Sequence, residues 1–263
     1  MKIRTIAIST LGSFLRNKVI ILFCSLFACV VLLSMAPLME YKAMTNASNA
    51  QQMHGVILNE VADVMSLVSG FGSLLAAWAA ADSIATEMRS GTILAVMARP
   101  LRRWEFLVGK YLGVLMLMAI YIVAMLGVTF LLAWMAGQQF HTSSWTLVAY
   151  PFVRYAVWAA IAMFLATIVH PIFVMGIVGL LATLVAICEA PSHIPVWLRL
   201  PIHLLLPMTG LLSEERFLAI TRASLRPFPW TNHATALAYG VNYALVWLLF
   251  AIWMFQRRSL TRD

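Results

Sequence analysis

A chain of 263 residues that is 62% hydrophobic and 11% charged, with mean hydropathy +0.89, lies outside the range of soluble domains. These values exclude a cytosolic enzyme and require an integral membrane protein. The net charge of +8 calls for no nucleic acid, because anionic inner-leaflet lipid and membrane topology account for it.

A span needs about 20 mostly apolar residues, and the chain reads as a single transmembrane domain, 1–263, of all-α class. Six transmembrane helices are predicted at 19–38, 59–81, 108–135, 147–169, 171–188 and 234–255. Twelve of the eighteen basic residues fall on one side if the N-terminus is cytoplasmic. The positive-inside rule therefore puts both termini in the cytoplasm.

Residues 1–18 carry Ile3, Ile6, Ile8, Leu11, Phe14 and Leu15 among basic and small polar residues, at spacings close to a helical stripe. They are predicted to form an amphipathic helix in the inner interface rather than a signal peptide, since charges flank both ends. Cys24 and Cys29 in the first span do not share a helix face, and with Cys188 they form no Cys-x-x-Cys motif. Buried apolar packing is expected for them, with no metal site. In the second span Glu60 and Asp63 share a face near the outer end, either as a polar vestibule in a substrate pathway or as the solvated start of the helix. Ser69, Gly70, Gly72 and Ser73 lie deeper, where small side chains permit close helix packing.

The stretch 82–110 breaks the apolar pattern. It holds three of the ten acidic and five of the eighteen basic residues, so it is placed in water. Gly91 can close the helix carrying Glu87, Thr92 can cap a short helix over 93–98, and Pro100 disfavours helical geometry at Arg99. An amphipathic rod of this size between two spans suits docking to a partner protein.

The pattern Glu87, Gly91-Thr92-Ile93-Leu94, Arg99-Pro100, Arg103, Glu105 and Gly109-Lys110 resembles the signature of permease subunits of type-2 ABC exporters. With the span pattern, the whole chain is similar to the six-span permeases of the type V exporter class. The resemblance implies that 82–110 is a cytoplasmic coupling region that meets a separate ATPase subunit. Glu87 and Arg89 would then make polar contacts with the partner. Gly91, Thr92 and Pro100 would shape the element, and Arg99, Arg103 and Lys110 would anchor it at phosphate head groups or the partner. Arg102 departs from the pattern, since many relatives carry a small polar residue there. The resemblance also implies two ATPase copies that bind ATP and Mg, and a second permease chain in a homodimer. It further implies a bacterial or archaeal inner membrane and an accessory protein on the outer side.

Beyond this region Arg154 falls a turn past Pro151. It either snorkels to the outer interface or points into a substrate path. His170-Pro171 forms a tight elbow between the fourth and fifth spans, a second coupling turn in the implied complex. Segment 189–233 carries Pro195, Pro201 and Pro207 within an apolar run, and is expected to form re-entrant or interfacial helices over the outer mouth. His54, His141, His193, His203 and His233 fall on the predicted outer side, with no tight metal-ligand spacing.

The chain carries no phosphate cradle of its own. In Gly-x-x-x-x-Gly-Lys-Ser/Thr register, Trp104 takes the first glycine position and Tyr111 the hydroxyl position. Neither a His-Glu-x-x-His motif nor a Gly-x-Ser-x-Gly elbow is present. The expectation is a transport subunit without catalytic residues or a cofactor, working by alternating access. The alternative is an ATP-independent secondary transporter or a membrane assembly scaffold. The nearly charge-free span centres disfavour a proton or sodium relay. The substrate stays open.

Overall fold

The computed structural model describes residues 2–34, 69–87, 102–135, 145–189 and 230–257, and among them every regular element is a helix. In chain order they are α1 (Lys2–Leu15), α2 (Lys18–Ser34), α3 (69–87), α4 (Arg103–Met135), α5 (Trp145–Ile168), α6 (Pro171–Glu189) and α7 (Trp230–Arg257). Residues 35–68 and 190–229 lie outside the described set. The first outer loop and the expected re-entrant segment fall there.

Among the described residues three helices are each long and apolar enough to cross a membrane: Arg103–Gly127, Val148–Ile168 and Ala234–Arg257. The bent pair Ile3–Leu15 and Lys18–Cys29, turning through 60°, makes a fourth if read as one span. The 33 residues of α4 extend about 50 Å at 1.5 Å per residue, well beyond a hydrocarbon core of about 30 Å. One end of α4 therefore stands clear of the lipid.

The corner between α1 and α2 is written in Asn17. Its backbone carbonyl accepts from the N–H groups of Ile20 and Ile21, at 3.1 and 3.3 Å, while its Oδ1 accepts from Val19 N at 3.1 Å. Asn17 is thus the N-cap of α2, a position where a short side-chain acceptor satisfies an orphan donor. α1 lies along α4, its main packing partner.

That contact depends on two glycines. A Cβ on Gly109 would lie 2.8 Å from the Ile6 side chain, and one on Gly113 would lie 2.7 Å from Thr10 Cβ. One helical turn apart, they open a groove in α4 that admits the Ile6, Ala7 and Thr10 face of α1. In hydrocarbon, helix association draws mainly on such close approach. Thr10 is buried but satisfied, since its hydroxyl donates to Ile6 O at 2.8 Å. The face differs from the predicted stripe: Ile8 and Leu15 are exposed, while Ala7 and Thr10 are buried. Cys29 is likewise exposed, not buried as expected.

α5 is the most enclosed of these three spans, 78% buried against 28% for α7. The ring of Tyr155 occupies the space that a side chain on Gly72 of α3 would need. From there the rings of Tyr155, Tyr121, Phe27 and Phe71 follow one another edge to face, linking α5, α4, α2 and α3. On the other side Phe164 of α5 packs on Trp247 and Phe250 of α7.

These contacts set the helix directions. Phe106 near the start of α4 stacks on Phe255 near the end of α7, and Phe164 near the end of α5 meets the last third of α7. The start of α4 and the ends of α5 and α7 therefore share one end of the bundle.

Filling the α4 groove should dislodge α1. Gly113→Leu is expected to cost about 1 to 3 kcal/mol as an overpacking change, read as a lower melting temperature of the detergent-solubilised protein. Leu112→Ala, at an exposed neighbouring position, should leave it nearly unchanged.

Candidate functional site

The shared end of the bundle gathers most of the described charges, and its geometry starts from the capping of α4. The helix opens without a side-chain cap of its own, because Arg102 at the N-cap offers no acceptor. Glu105 supplies one from three residues on: its Oε2 accepts from Arg102 N at 3.0 Å, while Arg102 O accepts from Glu105 N at 3.0 Å. This is the back-reaching half of a capping box. A carboxylate in the first turn also suits the positive end of the helix dipole. Glu105, part of the polar pattern in the sequence, thus has a structural duty.

One turn on, Lys110 is buried, and its ammonium pairs with Oε1 of Glu87 at the end of α3. The ammonium also lies 5.7 Å from the centroid of Phe106, within reach of a cation–π attraction. Phe106 continues to Phe255 with ring centroids 6.1 Å apart. Arg103 Nη1 donates to Gln256 O at 3.1 Å, close to the C-terminal carbonyls of α7, where a cation is favoured. A few residues of α4 therefore hold the ends of α3 and α7 together. Arg257 finishes α7 with its guanidinium 3.9 Å over the Trp253 ring.

Beside the ion pair lies a cavity of about 310 Å³ between α1, α3 and α4. Ser13, Phe14 and Asn17 line it from the α1 corner, and Asp82, Ser83 and Thr86 line it from α3, with Glu87 and Lys110 closing one side.

Of the predicted coupling residues, the structure brings together Glu87 and Lys110 and ties Arg103 to α7. Arg89, Gly91, Thr92, Arg99 and Pro100 lie outside the described residues, as do Glu60 and Asp63. His170 and Pro171 form the expected short connection: the N–H groups of Phe173 and Val174 donate to His170 O at 2.9 and 3.2 Å, making His170 the N-cap and Pro171 the first residue of α6. This turn follows the end of α5 and so sits at the same end of the bundle as Glu87 and Arg103. Arg154 is half-buried on α5.

The ties from α4 to α7 went unread in the sequence, because Arg103 and Gln256 are separated by 153 positions and carry no local signal. The α1 groove did have one, the small residues Gly109 and Gly113 four apart.

Removing one member of the ion pair leaves the other poorly compensated. Lys110→Ala should destabilise the protein by about 1 to 3 kcal/mol, below the fully buried figure because Glu87 keeps some solvent contact. The double variant Glu87→Gln with Lys110→Ala should be destabilised by less than the sum of the two single changes in thermal unfolding, the mark of direct coupling.

The chain matches the family described as ABC-2 family transporter protein over residues 4–260. No curated protein matches it.

Proposed function

The chain belongs to the ABC-2 transporter family, and from that premise we propose that it is the membrane-spanning permease subunit of an ATP-driven exporter. It spans the bilayer six times, the four span candidates being joined by α6 and by spans that include undescribed residues. Two copies pair to enclose the pathway in a bacterial or archaeal inner membrane, with both termini in the cytoplasm. Each docks a separate ATPase subunit that binds ATP and Mg. The observation that carries this reading is the family match, which runs over nearly the whole chain.

Coupling is assigned to residues 87–110, with Glu87, Arg89, Thr92, Arg99 and Arg103 as the polar contacts and Gly91 and Pro100 as its breaks. The Glu87–Lys110 pair supports the assignment, because it fixes the two helix ends between which residues 88–101 run. A push on that segment reaches α3 and α4 together instead of being absorbed at one joint. The His170-Pro171 turn, at the same end of the bundle, serves as a second contact. ATP-driven closure of the ATPases then tilts α3 and α4 and changes access from the inside to the outside. Arg154, Glu60 and Asp63 belong to the substrate pathway in this reading.

Affinity purification of the tagged chain in mild detergent tests the reading, with ATPase activity measured on the eluate. An ATPase subunit at near one-to-one stoichiometry is expected. A lone, inactive membrane protein would favour an ATP-independent transporter or scaffold. In the purified complex Glu87→Gln should lower ATPase turnover roughly fivefold, the effect of about 1 kcal/mol of lost coupling, at unchanged membrane insertion. Unchanged turnover would remove Glu87 from the coupling path.

A further inference from the structure

The cavity between α1, α3 and α4 has a chemical bias that the coupling reading does not use. Its hydroxyl protons point away from it or are already committed. Ser13 Oγ donates to Thr10 O at 2.7 Å, Ser83 Oγ donates to Ala80 O at 2.7 Å, and Thr86 Oγ1 donates to Asp82 Oδ1 at 3.1 Å. A hydroxyl whose hydrogen is spent can still accept, so all three present lone pairs. Asp82 adds a carboxylate that forms no ion pair among the described residues, Lys110 being paired with Glu87. The lining therefore carries two carboxylates against one ammonium, and that ammonium is already engaged. A ligand that satisfies such a wall must bring donors and positive charge.

The end of the α1 corner has the reverse character. Asn17 Oδ1 accepts from Val19 N, which leaves its side-chain N–H groups as donors, and Arg16 and Lys18 flank it in sequence, both exposed. Exposed Leu15 and Val19 stand beside this corner. Acceptors within, donors and cations at the rim, and apolar side chains alongside together describe a zwitterion with its ammonium innermost, its phosphate outward and an apolar tail.

We propose that this cavity binds a primary ammonium group, presented by the ethanolamine headgroup of a phospholipid. A volume of about 310 Å³ stands at the lower end of ligand pockets and suits a headgroup, with the acyl chains left outside along Leu15 and Val19. A choline headgroup fails because its methylated nitrogen has no N–H to donate, and a glycerol headgroup fails because it has no charge for Asp82. The inference rests on the cavity lining and needs no ATPase partner, so it stands or falls separately from the exporter reading.

The test uses the full chain purified in detergent, exchanged into phosphatidylethanolamine, phosphatidylcholine or phosphatidylglycerol, with retained lipid counted by native mass spectrometry and melting temperature measured in parallel. Phosphatidylethanolamine should be retained about tenfold better than the other two, the effect of one charge-assisted hydrogen bond. Asp82→Asn should abolish that preference. Ser83→Ala, a small change that the fold should tolerate, should weaken it about fivefold by removing one acceptor. Soluble phosphoethanolamine that raises the melting temperature as strongly, and only with Asp82 present, would uphold the ammonium site and assign it to a free amine. Equal retention of the three lipids by the unaltered chain, or an undiminished preference in both variants, would overturn the proposal.

Discussion

A cation that enters the apolar part of a helix bundle has to meet its counter-charge there, because an ion alone in a poor solvent is heavily penalised. Lys110 is such a cation, buried about two turns inside α4, and Glu87 at the end of α3 is the group it meets. The pair decides that α3 and α4 end side by side. Once that is set, the residues between them in sequence leave and return at neighbouring points. A connection with fixed feet transmits force, whereas one hung from two independent helices dissipates it.

The same few turns of α4 hold the neighbouring helices through unlike physics. Arg103 and Phe106 reach α7 by a hydrogen bond and a stacked ring. Gly109 and Gly113 admit α1 by having no side chains at all. Tyr111 donates its hydroxyl to Ala156 O of α5 at 3.0 Å. Lipid tails are as apolar as leucine, so apolar burial alone does not choose between helix partners in a bilayer. Close approach and buried polar contacts do, and α4 has both in one stretch. This makes α4 the element through which motion at this end of the bundle would spread.

Much of this architecture was legible from apolar run lengths. α5 and α7 end within about two residues of the predicted spans, well inside the usual uncertainty of boundaries, because His170-Pro171 and the terminal arginines punctuate them. The helix before the first span was also legible, but its inner face was not. Ile8 and Leu15 read as part of an apolar stripe lying in the inner interface, and beside lipid they face outward at no cost; what the stripe did not show is that Ala7 and Thr10 pack because they are small. Glu87 and Lys110 were both singled out from the sequence, as residues facing a partner or phosphate. Their pairing with each other was not anticipated, since 23 positions separate them and no helical spacing connects them. Lys110 beside Gly109 drew attention as part of a family signature and hid the plainer reading of Gly109 and Gly113 as a packing groove.

Together these contacts describe a membrane subunit with the ends of α3, α5 and α7 and the start of α4 collected at one end. The most direct test is cross-linking mass spectrometry on the complex of this chain with its ATPase, using single cysteines placed at Thr92, His170 and Met135. Cross-links to the ATPase from Thr92 and His170, and none from Met135 at the opposite end of α4, are the predicted result. An ATPase that binds but cross-links through Met135, or through neither Thr92 nor His170, would contradict the account.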